Sequence, residues 1–360
     1  MPENDGKKEL KGKIYKCENC GSILVFDPES QKLKCGHCAS LFDLQSIKKA
    51  MELTYTSFSE KEYEPWGEAK SYKCRSCGAV VDFLEYETAS KCSFCGASNI
   101  AMIDDIPGLK PNAILPFAIP RNKLEEYYAK WMKSKKMSPS KLKDLSRKMD
   151  TSGVYVPIFT FDTSTSSSYS IKYGITRSKT VGSGKNRRVV TYTEWYYDTG
   201  FINLDFDDIQ IEASQKISQK DLSKLGYFDT ENSLEYNSQY ISGFNSERYS
   251  KSLDDSWDDA KKEADGTIRQ RILSRYHYDT LGYLNVSTNY SNIKYKYVLV
   301  PVWIIHYKYK KKIYPCILNG RTGKGVGKAP VSPFKATGLG LAIAAVCAFI
   351  IYMVYKYFIG

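Results

Sequence analysis

Residues 17–38 read CENCGSILVFDPESQKLKCGHC, and their four cysteines set the reading of everything around them. Cys17 and Cys20 enclose two residues, Cys35 and Cys38 enclose two more, and 14 residues lie between the pairs. A Cys-x2-Cys pair forms a tight turn that points two thiolates at one centre. Two such turns joined by a short hairpin make a tetrahedral four-thiolate site, the arrangement zinc takes in a ribbon. Moving outward, the pattern returns at an offset of 57 residues, as Cys74, Cys77, Cys92 and Cys95 with the same 14-residue spacing. Tyr15/Tyr72, Lys16/Lys73, Gly21/Gly78 and Phe26/Phe83 repeat with it, so one small module has been duplicated. Gly21, Gly78 and Gly96, each directly after a cysteine, suit the left-handed backbone of such a knuckle.

Four thiolates leave no vacant position, so both sites read as structural zinc rather than catalytic zinc. Modules this short bury too little surface to fold alone. Metal binding, worth about 10–16 kcal/mol in comparable peptides, would supply their folding energy. His37, between Cys35 and Cys38, is a fifth ligand by type, although a residue inside a knuckle more often points outward. A cytoplasmic location would keep these thiols reduced and available to bind metal, which opposes a disulfide framework. Ribbons suggest nucleic acid as well as protein contact. Residues 1–110 carry 15 basic and 17 acidic groups, however, which leaves no basic footprint beyond a local patch of Lys32, Lys34, Lys73, Arg75 and Lys91.

The net charge of +12 is distributed unevenly. Residues 111–200 stand at +9, residues 201–292 at −6, and residues 293–360 hold 11 basic groups and no acid. That last stretch ends in 20 uncharged residues, Ala336 to Tyr355, about 30 Å as a helix and enough to cross a bilayer. A buried core helix is the alternative, but one seldom runs so far without a polar face. Lys308, Lys310, Lys311, Lys312, Arg321, Lys324, Lys328 and Lys335 precede the span and only Lys356 follows it. The positive-inside rule then puts the large N-terminal portion in the cytoplasm of a single-pass, tail-anchored protein. The polar start, Met1 to Lys16, carries no signal-peptide pattern. The basic run before the span also fits an anionic lipid surface. Gly338/Ala342 and Ala344/Ala348 would allow a second helix to approach or are ordinary filler, and Cys316 and Cys347 read as small apolar residues.

Prolines at 107, 111, 116 and 120 predict a linker. From Arg121, Leu124, Tyr127, Tyr128, Trp131 and Met132 recur at helical spacing beside four lysines, a helix for either a membrane surface or the domain core. Strand patterns follow at Val154–Phe161, at Tyr169 to Ile175, and at Val189–Tyr197 after a Gly-rich turn. A long helix is predicted from Ser246, with Trp257, Ala264, Ile268 and Ile272 on one stripe. Its Asp254, Asp255, Asp258 and Asp259 form a solvated face, or one that takes a cation or basic partner. Strands return at Leu281–Thr288, Tyr295–Tyr309 and Ile313–Leu318. Asn319-Gly320 reads as a hairpin turn, because the following Gly-rich run lacks phosphate-loop spacing.

Together these features resemble a family of bacterial proteins with two N-terminal zinc ribbons, an α+β region and a C-terminal membrane segment. The resemblance rests on the paired cysteine sets, Tyr155-Val-Pro-Ile-Phe-Thr-Phe-Asp162, Tyr240-Ile-Ser-Gly-Phe244, Leu299-Val-Pro-Val-Trp303 and Asn319-Gly-Arg-Thr-Gly-Lys324. Members are often labelled replication-factor-like or helicase-like, but no helicase motif occurs here. The resemblance implies links to stomatin-like (SPFH) or phage-shock-type membrane proteins, and it transfers no catalytic residue.

The expected architecture is therefore multidomain. It comprises a polar tail (1–14), zinc ribbon 1 (15–40), a linker (41–71), zinc ribbon 2 (72–100) and a Pro-rich linker (101–120). An α+β domain with antiparallel strands (121–333) and one transmembrane helix (336–358) follow. The expected metal sites are Cys17, Cys20, Cys35 and Cys38, and Cys74, Cys77, Cys92 and Cys95, for two structural zinc ions. The expected function is a non-enzymatic, membrane-anchored scaffold that recruits soluble or membrane-associated proteins. The alternative is a membrane-tethered nucleic-acid binder that uses the +9 segment and its Arg187-Arg188 hairpin tip.

Overall fold

A computed structural model describes residues 15–45, 47–55, 69–84, 91–103, 108–139, 142, 149–309 and 312–358. The expected polar tail 1–14, Pro107, and Lys310 and Lys311 of the basic run lie outside the described residues, as do the side chains of Phe83 and Lys308. In chain order, the first ribbon holds β1 (Leu24–Asp27), β2 (Lys32–Cys35) and β3 (Leu41–Phe42), followed by β4 (Leu53–Thr54). The second ribbon holds β5 (Ala69–Cys74), β6 (Val80–Leu84) and β7 (Ile100–Ile103). Then come β8 (Ala113–Ile114), α1 (Leu124–Ser134), β9 (Asp150–Val181), β10 (Arg188–Glu212), α2 (Gln219–Leu225) and β11 (Leu234–Glu235). The chain continues with β12 (Asn245–Glu247), α3 (Leu253–Leu273), β13 (Thr280–Tyr309), β14 (Lys312–Asn319), β15 (Gly325–Gly327) and α4 (Pro333–Phe358).

The stretch Val154-Tyr-Val-Pro-Ile-Phe-Thr-Phe161 organises the body. In β9 alternate residues point to opposite faces, so Val154, Val156 and Ile158 share one face while Tyr155, Phe159 and Phe161 share the other. Its antiparallel partner β13 follows the same rule. Val298, Val300, Val302 and Ile304 join an aliphatic core, and Tyr297, Trp303 and Tyr307 join an aromatic one. Both faces are covered, which is why these runs are apolar throughout instead of alternating with polar residues. Among the described residues, twelve strands belong to this mixed sheet, and β1 to β3 form a separate three-stranded sheet.

At 32 residues, β9 runs about 100 Å, far beyond the body. Its distal half pairs with β10 from Phe206↔Thr163 to Arg188↔Val181, and with β13 as far as Thr280↔Gly174. The three strands make a long arm. Helix α3 lies on one of its faces and buries Ile268 and Ile272 against Tyr169, Ile171, Ile202 and Leu284. Ser252 caps α3, its hydroxyl accepting from Asp255 N at 3.0 Å.

Several expectations change. The long helix starts at Leu253 and not at Ser246, because Asn245–Glu247 is claimed by β12 between β6 and β9. The strands predicted at Leu281–Thr288 and Tyr295–Tyr309 are one strand, bulged at Ser291/Lys294. Within segment 101–120, expected as a linker, residues 113–117 are core: Ala113, Ile114, Leu115 and Phe117 have no exposure, and β8 pairs in parallel with β13. Pro120 closes it in an extended conformation, with φ −75° and ψ 158°. Segment 41–71 contributes β3 and β4 among its described residues. Helix α1 buries Leu124, Tyr128, Trp131 and Met132 beside Tyr307, which selects its core reading over a membrane surface. The acidic face of α3 is engaged by ion pairs from Lys251, Lys261 and Lys262 and by the Tyr55 hydroxyl on Asp254. Asn319-Gly320 forms the predicted turn between β14 and β15, with Asn319 Oδ1 accepting from the amides of Arg321 and Thr322.

Candidate metal centres

The two cysteine sets each converge on one point. In the first, Cys17 and Cys38 Sγ lie 3.5 Å apart, Cys20 and Cys35 3.4 Å, and Cys20 and Cys38 3.5 Å. In the second, Cys74 and Cys95 are 3.7 Å apart, and Cys77 and Cys92 3.6 Å. Four sulfurs about 2.3 Å from a tetrahedral zinc would stand roughly 3.8 Å apart, close to these values and far from a bonded S–S length. All four sulfurs in each set lie within 4.8 Å of one another. The two sites suit two structural zinc ions.

The backbone explains why the sulfurs converge. Each knuckle repeats the same pair of hydrogen bonds. Cys17, Cys35, Cys74 and Cys92 donate from N to the carbonyls of Ser22, Ser40, Ala79 and Ala97, and they accept from Gly21, Ala39, Gly78 and Gly96. Those four residues all take positive φ, between 60° and 78°. The glycines were legible in the sequence; Ala39 was not. His37 is exposed and stands outside the sulfur cluster, pointing away as expected for a knuckle interior.

The thiols respond to their surroundings in opposite senses. Burial pushes Cys17 up to about 11, whereas the Ser40 hydroxyl and amide draw Cys38 down to about 6. Burial would also raise Cys74, but the amides of Cys77 and Ser76 outweigh it and bring the thiol to about 7. A divalent cation is what allows four crowded sulfurs to be thiolates together.

Each ribbon docks on a different face of the body. Ribbon 1 meets the aromatic face: Phe26 lies 5.3 Å from Tyr240, edge-on, and Ser242 donates its hydroxyl to Leu24 O at 2.7 Å. Ribbon 2 meets the aliphatic face, where His306 Nε2 lies 2.8 Å from Phe94 O. Asn245 Nδ2 also donates to Ser93 Oγ at 2.7 Å, and Lys216 donates to Cys77 O. Nothing in the sequence tied His306 to a zinc knuckle, because the contact spans 212 residues.

A further charged cluster also escaped the sequence reading. Glu52, Asp162 and Asp207 bring carboxylate oxygens within 4.8 Å of one another where β9, β10 and β13 are bulged. Lys294 lies 3.0 Å from Glu52, and buried Lys296 lies 2.9 Å from Asp208 Oδ1. That last contact is an ion pair without hydrogen-bond alignment, and Asp208 Oδ2 has no hydrogen-bond partner among the described residues. Burial, aided by Glu52, pushes Asp162 up to about 7. Two lysines already answer these carboxylates, so the cluster reads as a polar joint in the sheet.

At the far end of the chain, α4 is long and apolar enough to cross a membrane, with mean hydropathy 2.3 over its most apolar 18 residues and none of that stretch buried.

One curated protein, "Uncharacterized protein YdjG" of Bacillus subtilis (strain 168), is 31% identical over 332 residues, covering 92% of this chain and 94% of its own length. The chain belongs to the YdjG family. Coverage of that extent takes the YdjG likeness well past the ribbons into the body. No family model matches the chain, and no solved structure does.

Proposed function

We propose that this YdjG-family chain is a non-catalytic, membrane-anchored adaptor that faces the cytoplasm and brings protein partners to the bilayer. The observation that carries the reading is α4, whose exposed apolar surface has no protein to cover it among the described residues and would be satisfied by lipid. Closed four-thiolate sites support a binding role over a chemical one. Lys324, Lys328 and Lys335 lie close before the anchor and would meet anionic headgroups, each worth about 1 kcal/mol. Deleting residues 336–360 should move the protein to the soluble fraction in high salt, and retention there would overturn the anchor.

A second reading, nucleic-acid binding, is favoured by the distal arm. Arg177, Lys179 and Arg188 lie at its end, and Lys172 stands over Trp195 and Tyr197 at 4.8 and 5.2 Å. Capture of partners from native membranes with and without nuclease separates the two readings. Partners that persist after nuclease support the adaptor; partners that vanish support the second reading.

A further inference from the structure

The long arm has a free edge. Strand β10 pairs with β9 alone, in one unbroken register from Arg188↔Val181 to Phe206↔Thr163. In an antiparallel pair, successive residues turn their main-chain groups to alternate sides. Gly174 O accepts from Asp279 on the β13 side, so even-numbered residues of β9 face β13 and odd-numbered ones face β10. Opposite those stand the even-numbered residues of β10, and Leu204 O accordingly accepts from Thr165 of β9. Odd-numbered residues of β10 therefore face outward. Phe201 O and Thr199 N show that direction, the first accepting from Arg275 and the second donating to Asp198 Oδ1. Those two contacts close the row at one end, and the turn before Arg188 closes it at the other. Between them, Val189, Thr191, Thr193, Trp195 and Tyr197 have no outward main-chain partner among the described residues. The usual guards of an edge strand are missing. Residues 189–197 hold no proline, lysine or bulge, and their one charge, Glu194, is held by Arg177 at 3.1 Å.

The free row is centred on Thr193, and its sequence complements itself. Laid antiparallel on the same row of a second copy, it sets Thr193 against Thr193, Thr191 against Trp195 and Val189 against Tyr197. About ten main-chain hydrogen bonds result, and the β-branched–aromatic pairs add to them. The same register brings Arg188 opposite Asp198 of the second copy, at both ends. Arg188 has no ion-pair partner among the described residues, and Asp198 accepts only from neutral donors, Thr199 N and the Tyr276 hydroxyl. Neighbouring registers lose this match. Moving the centre one residue forward puts Glu194 against Glu194, and one residue back leaves Arg188 opposite Tyr196. We propose that two copies of this chain join through β10, edge to edge and antiparallel about Thr193, so that their arms form one continuous sheet. The outer edge of β13 from Thr280 to Ser291 is the competing partner, but it carries no charge to meet Arg188. Pairing β10 with it would also string copies into an open chain, whereas β10 on β10 closes about a two-fold axis. A row this short buries less than a standard interface of about 1,600 Å², so the pair dissociates on dilution.

The pairing goes beyond both functional readings and depends on neither. It is tested on the nuclease-treated, zinc-loaded full chain in detergent micelles, by sedimentation over a dilution series and by residue-resolved amide exchange. A monomer–dimer equilibrium is expected. Concentrating the protein should slow exchange at Thr191, Thr193 and Trp195, and leave Tyr192, Glu194 and Tyr196, already turned to β9, unchanged. Arg188→Asp and Asp198→Arg each place like charges at both ends of the row, and each alone should dimerise about tenfold more weakly. Mixed in equal amounts, the two variants regain opposite charges at both ends and should pair as well as the unmodified chain. If both are folded, failure of the mixture to recover overturns the register. Where Asp198→Arg folds poorly, the exchange pattern of the unmodified chain decides. A chain that stays monomeric at every concentration overturns the proposal. So does a dimer in which Thr191, Thr193 and Trp195 stay fast, or one indifferent to both variants, as pairing through α4 would be. Growth past two copies without limit would put β10 on the β13 edge and refute the closed pair.

Discussion

Ala39 sits where the other three knuckles have glycine, and it carries a φ of 60° that an L-residue adopts at a cost of about 1–2 kcal/mol. Gly21 holds the matching position in the same ribbon with nothing within 4 Å of an added Cβ, so Gly21→Ala tests the backbone alone. We expect Gly21→Ala to weaken zinc binding by ribbon 1 about fivefold and Ala39→Gly to tighten it by less, measured by chelator competition. Asp162 offers a second residue-scale test. Its pKa rises from 3.8 to about 7 on folding, so between those values the folded chain holds a proton that the unfolded chain has released. Stability must then fall as pH climbs from about 4 through 7. Asp162→Asn can still accept from Asp208 N and donate to Glu52, and it should remove this decline. Melting temperatures across pH 4–8 would decide; parallel curves for the two proteins would refute the assignment. The Tyr155–Asp162 stretch does not announce this behaviour, because it comes from burial and from Glu52 and Asp208, which the fold gathers from two other segments.

Among the elements, the arm shows why strand lengths were only half legible. Tyr169, Ile171 and Tyr173 alternate with polar residues because one face meets α3 and the other meets water, and that period announces a strand. Residues 163–168, Thr-Ser-Thr-Ser-Ser-Ser, carry no apolar period, yet they continue the same strand between β10 and β13. Their order comes from main-chain pairing on both sides, which side-chain pattern does not record. Ile268 and Ile272 have no exposure, so Ile268→Ala should cost about 2–4 kcal/mol. We expect the loss to appear as faster amide exchange at Tyr169–Tyr173 and Ile202–Leu204, with two zinc ions still bound. Exchange that accelerates equally in the ribbons would show instead that the arm and body unfold as one unit.

Across the whole molecule, the convergence of all eight cysteines into two sets was legible because a knuckle is a local event of six residues. What each knuckle leans on was not, since those contacts join residues 26 to 240 and 94 to 306. The helix α4, long and apolar enough to cross a membrane, was legible because twenty uncharged residues need no tertiary context. The two docking faces have a consequence in time. In ribbon 1 the outer sulfurs, Cys20 and Cys38, are exposed; in ribbon 2 their counterparts, Cys77 and Cys95, are half-buried. Attack by a chelator or by peroxide begins at reachable sulfur. Zinc release followed with a colorimetric dye should therefore come in two phases of one equivalent each. Cys20→Ser should abolish the fast phase and Cys74→Ser the slow one; the reverse assignment would refute the ordering. Duplication has thus turned two identical ligand sets into an early and a late responder, so that peroxide stress would loosen the aromatic side of the molecule while the other side still holds.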